Sequence, residues 1–377
     1  MADATNLDLL VNAQDVREIK FVESPAPAEA DLQEGEIFIR VEKFGFSANN
    51  VTYAVLGEMM RYFDFFPTTE RGWGKIPVWG MGRIVHSRHA ELPVGTRMYG
   101  YFPLARSVTL RPSEMTLTGF EVDRGDLAKV YNQYWLNGAD PFHLPANEDQ
   151  MMIFRPLFFT SVFLDDYLAD GHEYFGAQTV LVTSASSKTS YGTAYMHARR
   201  YAAQPLADRC AMIGLTSPGS RPFVEQLGFY DRIVTYDDLA SIPADTTVVI
   251  ADVAGNLDTL TRAHEHFGDN LKKVVTIGLS HWDKSQTGTS PAALQAKTEL
   301  FFVPSWIEKR QVDWGMERLV GTMAGAWQAF MADVDARCRL TRSAGRDAVG
   351  DAYNTMVTSR SKPDEGSVLS LWDDAFA

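Results

Sequence analysis

Apolar and polar positions alternate in short runs along the first third of the chain. Gly35 to Glu42, GEIFIRVE, alternates as a half-buried strand does, and Phe44 to Ser47 continues it. Ala48 to Gly57 reads as a polar loop entering a short helix. Ile76 to Val85, Thr96 to Phe102 and Ser107 to Leu110 read as further short strands, the last closed by Pro112. Many short strands with Gly and Pro turns predict a small barrel. Asp123 to Asp149 reads as an irregular polar excursion with Tyr131, Tyr134 and Trp135 embedded in it. Met151 to Tyr167 is apolar and reads as a helix, with Asp165 and Asp166 expected in solvent.

From Val180 the pattern changes. Strands near 180–183, 210–216, 232–236, 248–253 and 273–279 alternate with helical stretches at 191–203, 221–227 and 256–267. That alternation predicts a parallel sheet wound on both faces, with ligands at the carboxyl ends of its strands. His281 to Ala296 reads as loop. Phe301 to Val303 reads as a last strand, stopped by Pro304. Helices are expected over 320–337 and 347–359, and Gly366 to Trp372 as a closing strand that returns to the first domain. The resulting expectation is an α/β protein in three segments: a barrel-like domain over 1–150, a nucleotide-binding domain over 151–335, and a return over 336–377.

Composition narrows the classes. A chain of 377 residues is long for one core, so two domains are expected. Its formal net charge of -13 argues against nucleic acid or an anionic membrane as the main partner. The two cysteines, Cys210 and Cys338, form no CxxC pair, so neither a zinc ribbon nor a disulfide framework is supported. No apolar run approaches the ~20 residues that span a bilayer. The N-terminus lacks the pattern of a signal peptide, which makes the cytoplasm the expected compartment.

The chemistry is concentrated after the strand Val180 to Thr183. The turn reads Ser184-Ala185-Ser186-Ser187-Lys188-Thr189-Ser190 and runs into a helix. A strand, a tight turn and a helix aim backbone N–H groups and a helix N-terminus at a phosphate. A dinucleotide turn ordinarily carries glycines so that the backbone can approach the pyrophosphate. Here Gly192 alone remains, and hydroxyls and one ammonium take the other places. Ser184, Ser187, Lys188, Thr189 and Ser190 are therefore candidate phosphate ligands; a polar surface loop is the plain alternative. The second strand ends in Leu215-Thr216-Ser217-Pro218-Gly219-Ser220-Arg221. An NAD site places an acid there for the ribose 2′-OH. Ser217 and Arg221 suit a 2′-phosphate instead, so NADP(H) is the expected cofactor.

The order of parts resembles the medium-chain dehydrogenase/reductase superfamily, in its zinc-free quinone and enoyl reductase branch. The residues that carry the resemblance are Phe44 to Gly57, Pro77 to Val85, Val94 to Tyr99, Phe159-Thr160-Ser161, Val180 to Gly192, Asp252 to Gly255, Val275 to Leu279 and Asp364 to Trp372. The wording SASSKTSYG, SANNVTYAVLG and FFVPSWIEKRQVDWG also resembles a bacterial and fungal family of unknown function. The superfamily resemblance implies a GroES-like barrel facing a Rossmann domain across a cleft. It implies hydride transfer from a nicotinamide to an unsaturated carbonyl, quinone or ketone.

It also assigns roles. Tyr53 is the leading proton donor, with Tyr99, Tyr101 or a water as alternatives. Asn49 and Asn50 would orient a carboxamide or substrate oxygen, with Asn50 counted as catalytic. Thr160 would reach the nicotinamide ribose and Tyr236 the adenosine, and Gly278 and Phe302 complete the cofactor set. The aromatic residues Tyr62, Phe63, Phe65, Phe66 and Trp73 imply a small apolar or aromatic carbonyl substrate, or plain core. Edge strands near Phe301 imply a homodimer. No zinc is expected, because neither cysteine lies in the first domain and His86 and His89 fall in an expected surface loop. Two other readings stay open. One is a ligand binder on a reductase fold. The other is a phosphotransferase, suggested by Ser187-Lys188-Thr189 and Asp252 but lacking the P-loop glycines at positions 182 and 187.

Overall fold

The computed structural model describes residues 5–277, 291–334, 337–358 and 362–376. In chain order the first elements are strands β1 (Thr5–Asn12), β2 (Ile19–Pro25) and β3 (Ile37–Phe46), helix α1 (Ala48–Val55), then β4 (Trp73–Lys75), β5 (Pro77–Ser87), β6 (Arg97–Pro103), β7 (Ser107–Leu110), β8 (Pro112–Met115), β9 (Gly119–Val122) and β10 (Gln133–Leu136). Helix α2 (Glu148–Asp166) leads to β11 (Thr179–Val182), α3 (Lys188–Arg200), β12 (Ala211–Thr216), α4 (Arg221–Leu227), β13 (Arg232–Thr235), β14 (Val248–Asp252), α5 (Leu257–Phe267) and β15 (Leu271–Thr276). The chain ends with α6 (Ala292–Lys297), β16 (Thr298–Leu300), α7 (Val303–Trp314), α8 (Met316–Val334), β17 (Arg339–Ala344), α9 (Arg346–Val357) and β18 (Glu365–Ser370).

Two compact units result. One joins Met1–Arg155 to Cys338–Ala377, and the other is Pro156–Arg337. The first is β-rich. A three-stranded sheet runs β2-β1-β4, and a larger sheet runs β17-β18-β3-β5-β6-β10-β9-β8, with β7 also on β3. The closing strand β18 pairs antiparallel with β3, Leu369 opposite Phe44, so the chain's end completes a sheet begun near its start. Trp372 then donates its indole N–H to the Val41 carbonyl at 3.0 Å.

The second unit is a six-stranded parallel sheet in the order β13-β12-β11-β14-β15-β16. Continuous apolar strands bury both its faces: Leu181, Leu215, Val248, Ile250 and Val274 are almost wholly excluded from solvent. Strand order reverses between β11 and β14, and on open sheets of this kind ligands bind at the carboxyl ends of the strands beside such a reversal. Among the described residues no helix is long and apolar enough to cross a membrane.

Several expectations need correction. Phe301 to Val303 is not a strand: the sheet's edge strand is Thr298–Leu300, and Val303 opens α7. Pro304 starts that helix rather than stopping a strand, because a helix's first turn needs no N–H from it. Ala292 to Lys297 is helical, and the rest of the expected loop from His281 lies outside the described residues. The excursion after Asp123 contains β10, held between β6 and β9. His86 lies on β5, its ring stacked on Phe38. Strands β1, β2, β4, β8, β9 and β17 have no counterpart among the expected elements.

Asp165 and Asp166 are buried, not solvated. Asp165 Oδ2 accepts from Arg200 Nε at 3.0 Å, and Asp166 accepts from Trp306 Nε1 at 2.7 Å and Arg310 Nε at 2.6 Å. Burial pushes the Asp165 carboxyl up to about 6, although Arg200 pulls the other way. A pattern read along one helix cannot see the arginines that other helices bring to it.

Pro156 lies inside α2 and offers no N–H to the carbonyl of Met152 four residues earlier. Gly45 on β3 faces that carbonyl. A Cβ added to Gly45 would stand 2.5 Å from the Met152 oxygen, a backbone atom with little room to move. Gly45→Ala is therefore expected to cost about 1–3 kcal/mol of stability, read from denaturant unfolding. A loss near zero would mean that the helix can slide off the strand.

Candidate functional site

The turn after β11 is organised by Thr183. Its hydroxyl donates to Asp252 Oδ1 at 2.7 Å and accepts the amides of Val253 and Ala254 at 2.9 and 3.0 Å. The same carboxylate oxygen accepts the Gly255 amide at 3.2 Å. Both side chains are buried, so these bonds are unscreened by water. The carboxyl ends of the two central strands are thereby tied together at the point of strand-order reversal. Asp252 Oδ2 has no hydrogen-bond partner among the described residues. Burial pushes the Asp252 carboxyl up to about 6, with the hydrogen bonds from Thr183, Gly255 and Ala254 opposing it.

Ser184 follows in the left-handed region, φ 50°, where a glycine would sit with less strain. Its amide donates to the Tyr236 hydroxyl at 2.8 Å. The Ala185 amide goes to the Leu215 carbonyl at 2.9 Å, and that of Ser187 to the Ser184 carbonyl at 2.7 Å. Ser187 caps α3, its Oγ accepting the Ser190 amide at 3.3 Å. The amides of Ser186 and Thr189 make no hydrogen bond among the described residues, and both lie at the N-terminus of this 13-residue helix. Lys188 is the first residue of the helix.

The predicted ligands thus separate. Ser190 is fully buried and its hydroxyl donates to the Thr183 carbonyl at 2.9 Å, so it braces the turn from beneath instead of facing a ligand. Thr189 is buried, and its carbonyl accepts the hydroxyls of Ser161 (2.8 Å) and Thr193 (2.9 Å). Ser161 lies on α2, and Gly192 lets α3 approach it: a Cβ there would come within 2.5 Å of Ser161 Oγ. The one glycine kept in the motif serves helix packing. Thr160 donates its hydroxyl to the Pro156 carbonyl one turn back at 3.0 Å, which is a bond within its own helix.

Tyr236 clamps the Ser184 amide, and burial raises its phenol to about 12. Ser217 and Arg221 are exposed at the end of β12. Ser217 Oγ donates to Ser220 Oγ at 3.2 Å, and Arg221 pairs with Glu225 at 2.8 Å along α4. Phe302 is the half-buried residue before α7. Gly278 lies outside the described residues.

The barrel-side residues lie on α1. Ser47 caps this helix, and Asn50 returns the bond: its Oδ1 accepts the Ser47 amide at 2.9 Å while Nδ2 donates to the Pro77 carbonyl at 3.3 Å. Asn50 is thus a buried cap and a pin to β5, with its side-chain oxygen and nitrogen both engaged within the fold. Asn49 is half-buried in the first turn. Tyr53 is 4% exposed, and its oxygen accepts the indole N–H of Trp79 at 3.2 Å. Burial holds its phenol well above the ordinary value, with Tyr62 adding to this and the polar groups of Trp79, Asn49 and Tyr101 opposing it. Around Tyr53 stand the rings of Tyr62 (4.7 Å between centroids), Tyr101 (5.6 Å) and Tyr131 (6.3 Å). The sequence reading missed Thr183, Trp79 and Tyr131. A lone threonine closing an otherwise apolar strand was the available signal for the first.

Among the described residues no three His, Cys, Asp or Glu side chains gather as ligands for a metal ion. Comparison with solved structures shows the fold. The chain is similar to CurA from Vibrio vulnificus, solved in complex with NADPH, at 13% identity over 96% of this chain and 98% of that one, with a TM-score of 0.60. It is similar to a mutant form of enoyl thioester reductase from Candida tropicalis at 12% identity, over 97% and 99% of the two chains, TM-score 0.57. The quinone oxidoreductase of Coxiella burnetii follows at 11%, over 97% and 99%, TM-score 0.51. The fold is that of the medium-chain dehydrogenase/reductases, a GroES-like barrel domain with a Rossmann domain. Within it, the chain belongs to the family described as "Protein of unknown function (DUF2855)", whose model matches residues 44–362. No curated protein matches the sequence.

The raised Asp252 carboxyl carries a sign. The folded chain holds this proton up to pH about 6 and an unfolded chain only to about 4. Stability from this group is complete at low pH and is lost as pH rises through 6. Asp252→Asn, a neutral isostere, should escape the loss: its stability relative to wild type should grow by about 2–3 kcal/mol between pH 4 and 7. A flat difference in unfolding free energy across that range would show the carboxyl to be ordinary.

Proposed function

We propose that this chain is an NADP(H)-dependent oxidoreductase, working without zinc, that reduces an unsaturated carbonyl, a quinone or a ketone. The observation that carries the proposal is the turn after β11. Thr183, Asp252 and Ser190 fix its backbone, and among the described residues the amides of Ser186 and Thr189 stay uncommitted at a helix N-terminus. Fixed, unpaired N–H groups at such a terminus suit a pyrophosphate. The residues fit the 2′-phosphate as well: the end of β12 offers Ser217, Ser220 and Arg221 and no acid before Glu225. The NADPH complex of CurA, a protein of the same fold, supports the same coenzyme class.

The nicotinamide supplies a hydride when bound. On the substrate side Tyr53 is the group suited to the oxygen. Its phenol is protonated at neutral pH, as any tyrosine's is, so it can donate a hydrogen bond to a carbonyl oxygen as charge builds there. The Trp79 N–H on the Tyr53 oxygen eases transfer of that proton. The aromatic rings around it keep water away from the developing charge.

The test is a binding comparison of NADPH, NADH and ATP–Mg²⁺ by calorimetry, followed by NADPH oxidation with a panel of enones, quinones and ketones. NADPH should bind tightest and be consumed. Lys188→Ala and Arg221→Ala should each weaken NADPH by about tenfold or more, with little effect on NADH. Equal losses for both would reject the 2′-phosphate assignment. Binding of ATP–Mg²⁺ alone would replace the reading with phosphoryl transfer, and NADPH binding without turnover of any acceptor would leave a ligand binder. Tyr53→Phe should lower kcat by about 10²-fold with the KM for NADPH unchanged.

A further inference from the structure

Tyr131 occupies the middle of an aromatic box in the barrel unit. Its ring centroid lies 4.7 Å from Tyr101, at an interplanar angle of 30°. It lies 5.5 Å from Phe65, 5.9 Å from Tyr62, 6.0 Å from Trp79 and 6.3 Å from Tyr53. The walls are supplied by regular elements or the segment beside them: Tyr53 by α1, Trp79 by β5 and Tyr101 by β6. Tyr131 is not supplied by a strand or an α-helix. It ends a single short turn, Lys129–Tyr131, in the connection between β9 and β10. That connection is tied down by the Arg124 guanidinium, which donates to Asn132 Oδ1 and the Tyr134 hydroxyl, both at 3.0 Å.

The walls also carry an unmet need. The hydroxyls of Tyr99 and Tyr101 are buried and have no hydrogen-bond partner among the described residues. The Tyr53 oxygen influences the Tyr101 proton but lies outside hydrogen-bond geometry with it. A buried hydroxyl without a partner is costly and rare. Flat rings around a flat ring, with a phenol lacking an acceptor, match the chemistry of a planar aromatic molecule that carries a carbonyl oxygen.

We propose that Tyr131 is a displaceable plug in a binding site for planar aromatic carbonyl compounds, and that its swing out of the box admits the ligand. The arriving ring takes over the stacking that Tyr131 gives up, and its oxygen accepts the Tyr101 proton. This deepens the oxidoreductase reading, because Tyr53 is a wall of the same box, but it is tested without the coenzyme.

The probe is 2-acetonaphthone, compared with 2-ethylnaphthalene, which has the ring and no oxygen. Binding to the full chain is followed by quenching of tryptophan fluorescence and by calorimetry. Tyr131→Ala should bind the ketone about tenfold tighter than wild type, since the self-occupied state no longer competes. Tyr131→Phe keeps the ring and should bind as wild type does. Tyr101→Phe should lose several-fold of the preference for the ketone over the hydrocarbon. Amide hydrogen exchange in the wild type gives a readout that needs no variant: saturating ketone should speed exchange over Asp123 to Asn132.

Ketone binding by Tyr131→Ala that is equal to or weaker than wild type, or unchanged exchange in that segment under saturating ketone, overturns the plug. Failure of NADPH to bind would overturn the function proposed above and leave this result standing. An NADPH-consuming enzyme indifferent to Tyr131 would do the reverse.

Discussion

One hydroxyl, that of Thr183, joins the ends of the two strands on which the parallel sheet turns. It gives its proton to Asp252 and takes two amides from the following turn. Everything that positions the backbone of this turn starts there. With the strand ends tied, the Ser184 amide meets Tyr236, Ser190 reaches back under the turn, and Ser187 caps the helix. A glycine-rich turn reaches its ligand by having no side chains in the way. This turn has side chains and places them where they hold the backbone instead. The amides that remain uncommitted do so because their neighbours are fully engaged.

The cost of this arrangement lies in the carboxylates. Among the described residues Asp252 keeps one buried oxygen without a partner, and Asp165 does the same beside Arg200. Such groups are expensive to ionise, and both are shifted upward by burial. Polar groups of this kind specify a geometry more than they add stability. In the barrel unit Asp140 and Arg155 form a buried pair in which both carboxylate oxygens accept from the guanidinium, which lies 4.4 Å from the Tyr99 ring centroid.

The barrel unit depends on close approach in the same way. Pro156 deprives a carbonyl of its helical donor, and Gly45 lets a strand pass directly against it. Elsewhere in this unit the aromatic box gathers phenols whose rings pack well, while the Tyr101 hydroxyl has no hydrogen-bond partner among the described residues. Packing and hydrogen bonding point in different directions in that box, and it is there that a ligand can compensate for what the fold leaves unsatisfied.

The sequence alone determined the alternating elements at the centre of the parallel sheet and some of the strands of the barrel unit. The helix pattern after a hydroxyl-rich turn, the apolar central strands and the absence of an acid after β12 were all legible, because periodicity and turn chemistry act over a few residues. The class of fold followed from their order. What the chain could not disclose was which side chains face each other across elements. Asn50 looks like a ligand-facing amide until the Pro77 carbonyl is beside it. Asp166 looks solvated until Arg310, 144 positions later, arrives. Tyr131 looks like an aromatic in a loop until five distant rings enclose it. Burial and pairing are properties of surfaces brought together by the whole fold, and only the tertiary structure decides which polar groups are consumed in holding it and which remain for chemistry.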